Sequence, residues 1–559
     1  MQSHEVQEKI GAVHEGKEVL CRRGAVATGP AAAARVGAEI FRAGGNAMDA
    51  AAAASLACAV LEPESVDIGG YLFCAVVRPA GAGTVWSVDA NAVAPRAAQP
   101  GMFDVLPAVA GRQGINETEY DCSVRDDANV YGPLAVAVPG FVAGVGTLWE
   151  RWGRLQWSEI VAPAQHLADR GFRYGPTAAA ITRRIDVLRR CQPAVDHLMP
   201  GGALPAADEM WHRRDLMITL ARLSAHGWRE FYDGGLGAEI ARYVQSIGGV
   251  LSVEDMARYS PRVGPASGVT YRNHPVFAPG LPNGALTSLQ ILNLLECFPA
   301  SIAAGTSNYW HRLGELMKLA WRDRLRSLGD PDFADVPADR LLDKGYAQAL
   351  AEPLRRFPSS IDGRDLPPAQ PSPRGTIHVS AADAEGNVVS ATLSQGAPFG
   401  SCIVVPGTGV ILGHGMCRLD PRPGRPNSIA AGKHPLNNAA PLIVSLPDRD
   451  VALGTRGGRP IVNVCAQLAH RIIDDGVTAG QALAAPRLHV TDREPLEFLD
   501  FEFTEHVAQG IVDGLTAMGH TVRRYTEPVE GAGAAHCVEL LTSERVVRAS
   551  ADTWAAGVD

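Results

Sequence analysis

Lysine is scarce in this chain of 559 residues. Lysine and arginine together number 51, but the only lysines are Lys9, Lys17, Lys318, Lys344 and Lys433. No long Lys/Arg-rich run is present, and the formal net charge is -9 at pH 7. A nucleic-acid groove or an anionic membrane surface as partner would need concentrated positive charge. The composition therefore argues against nucleic-acid and membrane partners and favours a small solute.

Cysteine pairs with metal-binding spacing are also missing. The chain has 10 cysteines, none in a Cys-x-x-Cys pair and none with a paired histidine. This distribution indicates neither a zinc site nor a disulfide framework. We expect buried thiols, no metal and no cofactor.

Long apolar runs are absent too. The longest uncharged apolar run, from Ala50 to Leu61, is too short to span a bilayer. The segment from Met1 to Arg23 carries charges throughout and has no apolar core typical of a secretory signal. With 46% apolar residues the chain can still bury a large core, so we expect a globular, cytoplasmic protein.

The most informative stretch that is present is Gly375-Thr376-Ile377-His378-Val379-Ser380. A threonine hydroxyl becomes a nucleophile when an adjacent base takes its proton, and cutting the chain before Thr376 would create that base as its own α-amino group. The alternation of this stretch is also that of an ordinary half-buried strand. The motif alone therefore leaves a catalytic and a purely structural interpretation open.

A proline-rich segment precedes this motif. Between Pro353 and Pro373 the density of Pro, Ser, Gly and Asp rises, which predicts an exposed loop rather than a helix or a central strand. After it, Thr376 to Ala381 and Val388 to Ser394 are strand-like, with a turn at 383–387 between them. The threonine is thus predicted to begin a strand directly behind a loop.

The rest of the chain mixes strands and helices. Residues 24–27 predict a strand, followed by one long alanine-rich helix that continues through residues 44–50. Residues 71–77 and 84–88 predict a hairpin around a Pro/Gly turn. From Pro139 to Glu352 the apolar spacing is helical, as in the series that begin at Leu216 and Leu313. No internal repeat is visible.

Seven short motifs make the chain resemble the gamma-glutamyltransferase family of N-terminal-nucleophile hydrolases, from about Gly24 to His489. The motifs span residues 43–50 (AGGNAMDA), 68–70 (IGG), 138–140 (VPG), 231–234 (FYDG), 251–255 (LSVED), 329–332 (GDPD) and 406–409 (PGTG). The resemblance implies an α+β fold, an αββα sandwich with a largely helical outer wrap. It also implies a precursor cut before Thr376 into a large subunit, residues 1–375, and a small subunit, residues 376–559. Together the two subunits would form one catalytic domain. The sequence does not decide whether this unit assembles into a homo-oligomer.

The resemblance also implies catalytic roles. Gly375 and Thr376 match the cleavage site, and Thr376 matches the nucleophile. Gly457 and Gly458 match the oxyanion-hole glycines, although such a pair is also typical of a simple turn. Ser394 matches a threonine that hydrogen-bonds the nucleophile, with a solvent-facing strand serine as the alternative.

The pocket motifs depart from the family. Asn91 stands where γ-glutamyl enzymes carry an arginine for the α-carboxylate, and Arg418 falls in the motif whose aspartate holds the α-amino group. Asn437 and Asn438 replace a serine pair that contacts the same carboxylate. A γ-glutamyl end would lose its partners, whereas Arg418 could pair with a carboxylate. The alternative for Arg418 is an exposed or structurally paired arginine.

Two histidines near these motifs invite other interpretations. His414 has no second ligand at a metal-binding spacing, so neither a metal ligand nor a general base is expected there. His378 is expected to pack on the face of the strand that carries Thr376.

The sequence therefore predicts a self-processing amidohydrolase that cleaves a small amide whose acyl group is not γ-glutamyl. Cephalosporin or glutaryl acylases and oxamate amidohydrolases are the nearer functional relatives within the resemblance. A γ-glutamyltransferase or glutathione hydrolase is the first alternative. An uncleaved, non-catalytic homologue that acts as a binding protein is the second.

Overall fold

The computed structural model describes residues 12–107, 120, 122–300, 305–356, 375–490, 501–504, 507–525 and 533–559. The strands in these ranges are β1 (Val13–Cys21), β2 (Gly24–Thr28), β3 (Leu72–Arg78), β4 (Trp86–Asn91), β5 (Phe172–Arg173), β6 (Met210–Trp211), β7 (Arg262–Pro265), β8 (Ser267–Tyr271), β9 (His274–Ala278), β10 (Thr376–Asp383), β11 (Val388–Ser394), β12 (Ile403–Val405), β13 (Val410–Leu412), β14 (Leu442–Ser445), β15 (Arg449–Thr455), β16 (Leu488–Val490), β17 (Phe501–Thr504), β18 (Val522–Tyr525), β19 (Ala535–Leu541) and β20 (Val546–Val558).

The helices in the same ranges are α1 (Ala31–Arg42), α2 (Ala47–Leu61), α3 (Phe141–Trp152), α4 (Trp157–Arg170), α5 (Pro176–Leu188), α6 (Gln192–Leu198), α7 (Arg214–His226), α8 (Gly235–Ser246), α9 (Val253–Ala257), α10 (Ala285–Glu296), α11 (Ser307–Ser327), α12 (Ala338–Leu341), α13 (Lys344–Arg356), α14 (Pro460–Asp474), α15 (Ala479–Ala484) and α16 (Gln509–Ala517). The expected mixture of helices and strands is confirmed.

One large antiparallel sheet organises the molecule. Its strand order is β7-β4-β3-β11-β10-β2-β20-β19-β15-β14-β9-β8, and β1 pairs with β20 outside this path. The predicted hairpin forms as β3 and β4, and the strands predicted on both sides of the 383–387 turn form as β10 and β11. Short sheets β5-β6, β12-β13 and β16-β17-β18 lie apart from it.

The centre of this sheet explains why a strand with polar residues is buried along its whole length. Every residue of β10 and β11 is buried. Ile377, Val379 and Ala381 of β10 are apolar and join the core that includes the alanines of α2. The even-numbered residues from 376 to 380 are polar and face β15 and β19, where Ser380 Oγ donates to the carbonyl oxygen of His536 at 3.1 Å. The half-buried interpretation of this strand is wrong, because its polar face is covered by other strands.

The other half of the sheet is also covered by helices. Helix α14 packs on β15, and α10 packs on β8 and β9. Helix α11 lies against both α10 and α16. This second core connects parts of the chain before and after Thr376.

The prediction of one long alanine-rich helix that continues through residues 44–50 is wrong, because two helices form there, α1 and α2. Helix α1 ends before Gly44, whose φ of +96° suits a glycine. Helix α2 begins after Asn46, whose side chain accepts hydrogen bonds from the N–H groups of Met48 and Asp49, and Asp49 completes a capping box. A cap inside an alanine-rich run therefore ends one helix and starts the next.

The region from Pro139 to Glu352 is mainly helical, as expected, and the faces beginning at Leu216 and Leu313 are buried. It also holds strands that the apolar spacing did not predict. Strand β7 pairs with β4 at one end of the large sheet, while β8 and β9 join β14 at the other end. These short strands border the sheet and carry few fully buried side chains, so their apolar signal is weak.

The predicted exposed loop starts later than expected. Pro353 lies inside α13, which continues to Arg356. Residues 357–374, which hold most of the proline-rich segment, lie outside the described residues. Within the described parts of the chain, no helix is both long and apolar enough to cross a membrane.

Candidate active site

Thr376 is the first residue of β10 and pairs in register with Ser394, the last residue of β11. Strand β2 pairs with β10 only from Ser380 to Asp383, so the Thr376 end of the strand has β11 as its ladder partner. Both side chains are buried, Thr376 at 5% and Ser394 at 2% relative exposure. The solvent-facing alternative for Ser394 is wrong.

Three hydrogen bonds converge on the carbonyl oxygen of Gly375. Ser394 Oγ donates to it at 2.5 Å, and the backbone N–H groups of Gln395 and Gly396 donate at 3.0 and 3.2 Å. Ser394 Oγ also accepts from the Gly396 N–H at 2.9 Å and lies 3.0 Å from Thr376 Oγ1. Because the single hydroxyl proton of Ser394 is used on Gly375, Thr376 is the donor in that last contact. The threonine hydroxyl is held directly beside the peptide bond that precedes it.

Residues 395–402, which we name the clamp loop, have an unusual backbone. Gly396 has a φ of +101°, and the non-glycine residues Phe399 and Cys402 have φ values of +62° and +60°. Such conformations cost free energy and persist only where surrounding contacts fix them. The Gln395 side chain supplies two of these contacts, accepting from the N–H of Asp67 at 3.1 Å and donating to the carbonyl of Ile411 at 2.8 Å.

Arg418 reaches the same loop. Its Nη2 donates to the carbonyl oxygen of Gly396 at 2.9 Å, and its guanidinium lies 5.9 Å from the centre of the Tyr71 ring. The side chain is half-buried rather than exposed. Arg418 therefore adds a positive charge next to the loop that contacts Gly375.

His414 packs against the clamp loop. A Cβ atom on Gly396 would lie 2.1 Å from the His414 ring, and His414 Nδ1 is 3.3 Å from the carbonyl oxygen of Val130. Burial, with the nearby Arg418 charge as a second cause, holds the pKa of His414 well below its usual range. A neutral, tightly packed ring keeps position 396 free of a side chain.

His378 packs on the strand face that carries Thr376, as expected. Its Nδ1 lies 3.0 Å from Thr392 Oγ1 and its Nε2 lies 3.0 Å from Ser380 Oγ. Complete burial lowers its pKa to about 3, so the ring is neutral at physiological pH. The hydroxyl groups of Thr392 and Ser380 therefore give both ring nitrogens of His378 a hydrogen-bond partner.

Gly457 and Gly458 follow β15 and precede α14. Their φ values are +133° and +72°, which glycine adopts most easily. The first N–H groups of a helix have no partners within the helix and carry partial positive charge, so a site here favours an anion. Strand β15 reaches the predicted nucleophile's strand through Gly454, where a Cβ atom would collide with the His378 ring.

Asn91 lies on the same row of the sheet as Thr376. The register runs from Thr376 to Ser394, then to Leu72 and to Asn91, over three neighbouring strand spacings or roughly 14 Å. Asn91 Nδ2 donates to the carbonyl of Pro435 at 2.7 Å, while Asn91 Oδ1 is buried and has no hydrogen-bond partner among the described residues. The predicted site residues on β4, β11 and β10 therefore share one line across the sheet.

The two other predicted substrate residues are engaged by the protein. Asn437 Nδ2 donates to Asn283 Oδ1 at 2.8 Å, and Asn437 Oδ1 accepts from the N–H of Ala439 at 2.8 Å. Asn438 Oδ1 accepts from Arg324 Nη2 at 2.7 Å. These contacts fix the segment that lies beside Asn91.

Sequence reasoning missed the Gln395 and Gly396 amides, because backbone N–H groups carry no side-chain signal. It also missed Glu64, a buried carboxyl beside the clamp loop. The backbone carbonyl of Glu64 accepts from the Phe399 N–H at 3.4 Å, and its side chain accepts from Thr177 Oγ1 at 2.7 Å. Burial, together with the nearby charge of Glu62, raises the pKa of Glu64 to about 7.

Proteins of known family are similar to this chain over most of its length. The profile of the gamma-glutamyltranspeptidase family matches residues 33–559. Acylase ACY 1 proenzyme of Pseudomonas sp. (strain SE83) is 33% identical over 529 residues, 93% of this chain and 91% of the relative. Glutathione hydrolase proenzyme of Pseudomonas aeruginosa is 30% identical over 514 residues, 89% of this chain and 88% of the relative.

A solved structure of an acylase is also similar to this chain over nearly its full length. Cephalosporin acylase from Bacillus halodurans matches with a TM-score of 0.82 and 26% identity, covering 97% of this chain and 95% of that chain. The breadth of the profile match and the identity to full-length relatives decide the assignment. The chain belongs to the gamma-glutamyltranspeptidase family.

Proposed function

We propose that the chain is a precursor that cleaves itself between Gly375 and Thr376 and then hydrolyses a small amide whose acyl group is not γ-glutamyl. The observation that carries this proposal is the convergence of three donors on the Gly375 carbonyl oxygen. Donors arranged in this way stabilise the negative charge that develops on an oxygen when its carbonyl carbon is attacked. The nucleophile that lies beside them is Thr376 Oγ1.

Self-cleavage then proceeds in two balanced steps. Thr376 Oγ1 attacks the carbonyl carbon of Gly375, the C–N bond breaks, and the threonine amine takes up the proton released by the hydroxyl. Water hydrolyses the resulting ester, which leaves a carboxylate on Gly375 and a free amine and hydroxyl on Thr376. The products are a large piece of residues 1–375 and a small piece of residues 376–559.

Turnover of an external amide uses the new amine as the base. Its reference pKa of about 7.7 to 8 allows it to accept the Thr376 hydroxyl proton near neutral pH and to pass it to the leaving amine. Gly457 and Gly458 supply the oxyanion hole for this reaction, supported by their left-handed conformations and their position before α14. Water releases the acyl group from Thr376.

The fold we propose for this machinery is an αββα sandwich. It is supported by the contacts of α2 with β10 and β11, of those strands with β15 and β19, and of α14 with β15. Helices α4 to α9 add the outer wrap.

Substrate choice follows from the charge near the clamp loop. An ammonium next to the Arg418 guanidinium would be repelled in a partly buried site, whereas a carboxylate would be attracted. Asn91 Nδ2 is engaged by the carbonyl of Pro435, while Asn437 and Asn438 hold the loop beside it. The favoured acyl groups carry a carboxylate and no amine, as in oxamate, succinamate or glutaryl amides.

The test has two parts. Mass spectrometry of the purified protein should give two pieces that separate between Gly375 and Thr376. Steady-state kinetics should give a higher kcat/KM for the glutaryl version of an anilide than for its γ-glutamyl version. A protein that stays whole and still hydrolyses amides contradicts the mechanism, and preference for the γ-glutamyl compound contradicts the pocket.

A second candidate is glutathione hydrolase activity, favoured by the 30% identity to a glutathione hydrolase proenzyme. Release of glutamate from glutathione at a rate above that of the glutaryl anilide would establish it. A chain that stays uncut and inactive would instead be the non-catalytic binding protein.

A further inference from the structure

A second cluster of reactive side chains lies away from Thr376, between α11 and the end of α16. His311 and Glu315 are one helical turn apart on α11, and His520 follows α16. One ligand atom from each of the three residues lies within 4.8 Å of the others, and all three residues are buried. The turn at Gly519, with a φ of +90°, directs the chain back to α16, where the His520 N–H donates to the carbonyl of Leu515 at 3.1 Å.

The donor set matches a divalent transition metal. Two imidazole nitrogens and a carboxylate oxygen are the ligand types that Zn²⁺ takes in sites with one position left for water. His311 Nδ1 lies 2.7 Å from His520 Nε2, so one of these nitrogens donates a proton and the other presents a lone pair. Tetrahedral zinc would separate the two nitrogens to roughly 3.3 Å, a shift that rotation of the two rings can supply.

The ammonium group of Lys318 lies beside the carboxylate of this cluster. Lys318 Nζ lies 2.8 Å from Glu315 Oε1, and both side chains are buried, with 6% and 4% exposure. A buried carboxylate needs such a partner in the metal-free protein. A bound metal would take over this role, so the Lys318 ammonium competes with it.

We propose that His311, Glu315 and His520 form a zinc-type metal site. This site goes beyond the proposed hydrolase function. Its ligands come from both sides of Thr376, since His311 and Glu315 precede it and His520 follows it. After self-cleavage the metal would join the large and small pieces. The site is not recognisable from sequence spacing, because residues 311 and 520 are 209 positions apart.

The test is a metal titration of the purified full-length protein after dialysis against a chelator. Calorimetry with Zn²⁺ should give one equivalent per chain, and Co²⁺ should give the absorption bands of a four-coordinate complex. At about 100 times the dissociation constant, Zn²⁺ should raise the unfolding temperature by roughly 3 °C. Absence of stoichiometric binding overturns the proposal.

Variants locate the bound metal. His311→Ala and His520→Ala should each weaken Zn²⁺ binding by about 100-fold or more, whereas Lys318→Ala should strengthen it about tenfold by removing the competing charge. His166→Ala changes an exposed histidine on α4 and should leave binding unchanged. If an alanine variant fails to fold, Glu315→Gln, which keeps the side chain's size, decides in its place. Binding that survives the loss of either cluster histidine places the metal elsewhere and overturns the site.

Discussion

The proposed cleavage junction and the predicted acyl pocket use their polar groups in opposite ways. At the junction, Ser394, Gln395 and Gly396 all direct donors at one carbonyl oxygen of Gly375. In the pocket, the side chains of Asn437 and Asn438 are engaged by other protein groups. The proposed junction is thus arranged around the bond that we expect to be cut, whereas much of the predicted pocket is arranged around its own loop.

The difference has its origin in the sheet. The junction is built from two neighbouring strands and the turn that follows, so the ladder register places Thr376 opposite Ser394. The pocket is assembled from β4 and from loops around residues 418 and 437, which come together only in the folded chain. Chemistry encoded in local register stays recognisable in sequence, while substrate specificity depends on distant loops.

Thr376→Ala has the largest expected effect, because it removes the predicted nucleophile of the proposed junction. Removal of the hydroxyl should abolish both self-cleavage and amide hydrolysis, leaving one full-length band on a denaturing gel. The matched control is Thr392→Ala, which removes a buried hydroxyl from β11 that contacts His378 instead. A Thr376→Ala protein that still splits in two would contradict the assignment of the nucleophile.

Much of the junction was predictable from sequence. The turn at 383–387 and the strand pattern on both sides give the β10–β11 pair, because each signal is local. The buried polar face was not predictable, since alternation of polar and apolar residues does not say whether solvent or a second layer of strands covers the polar side. Arg324 and Asn283, which engage the pocket asparagines, were equally hidden because they lie far away in the chain.

Gly458→Val should produce the next largest effect. A β-branched residue at a φ of +72° is strained, so the peptide should turn and its N–H should leave the oxyanion hole. We expect kcat to fall by roughly 100-fold or more with little change in KM. Gly424→Val is the control, because Gly424 has a similar φ of +79° in an exposed turn, where an added Cβ atom would have no neighbour from the described parts of the chain within 4 Å. Equal kcat and KM values for wild type and Gly458→Val would mean that Gly457 and Gly458 form an ordinary turn without a catalytic role.

Gly396→Ala should weaken the junction less severely. The new Cβ atom would meet the His414 ring at 2.1 Å and shift the N–H that faces Gly375. Two of the three donors remain, so self-cleavage should slow by roughly tenfold to a hundredfold. Gly407→Ala is the control, because Gly407 has a φ of +70° and an added Cβ atom there would meet no described residue within 4 Å. The rate is followed as the loss of full-length protein with time, and no difference between the two variants would contradict the role of the clamp loop.

Arg418→Ala should have the smallest effect and tests the pocket side of the comparison. Removing the guanidinium should raise KM for a glutaryl anilide by about tenfold while changing kcat less, since the charge binds the acyl group in both the ground state and the transition state. Arg418→Asp should go further and reverse the preference toward the γ-glutamyl anilide, because the ammonium would then meet an anion.

Arg425→Ala is the control for the Arg418 variants. Arg425 lies on the same loop, is 44% exposed beside Asp420, and its loss should leave kcat and KM for both anilides unchanged. Since Arg418 also donates to the carbonyl of Gly396, the kinetics must be measured on the fully cleaved fraction. Unchanged KM values in that fraction would mean that Arg418 supports the clamp loop and does not bind the acyl group of the substrate.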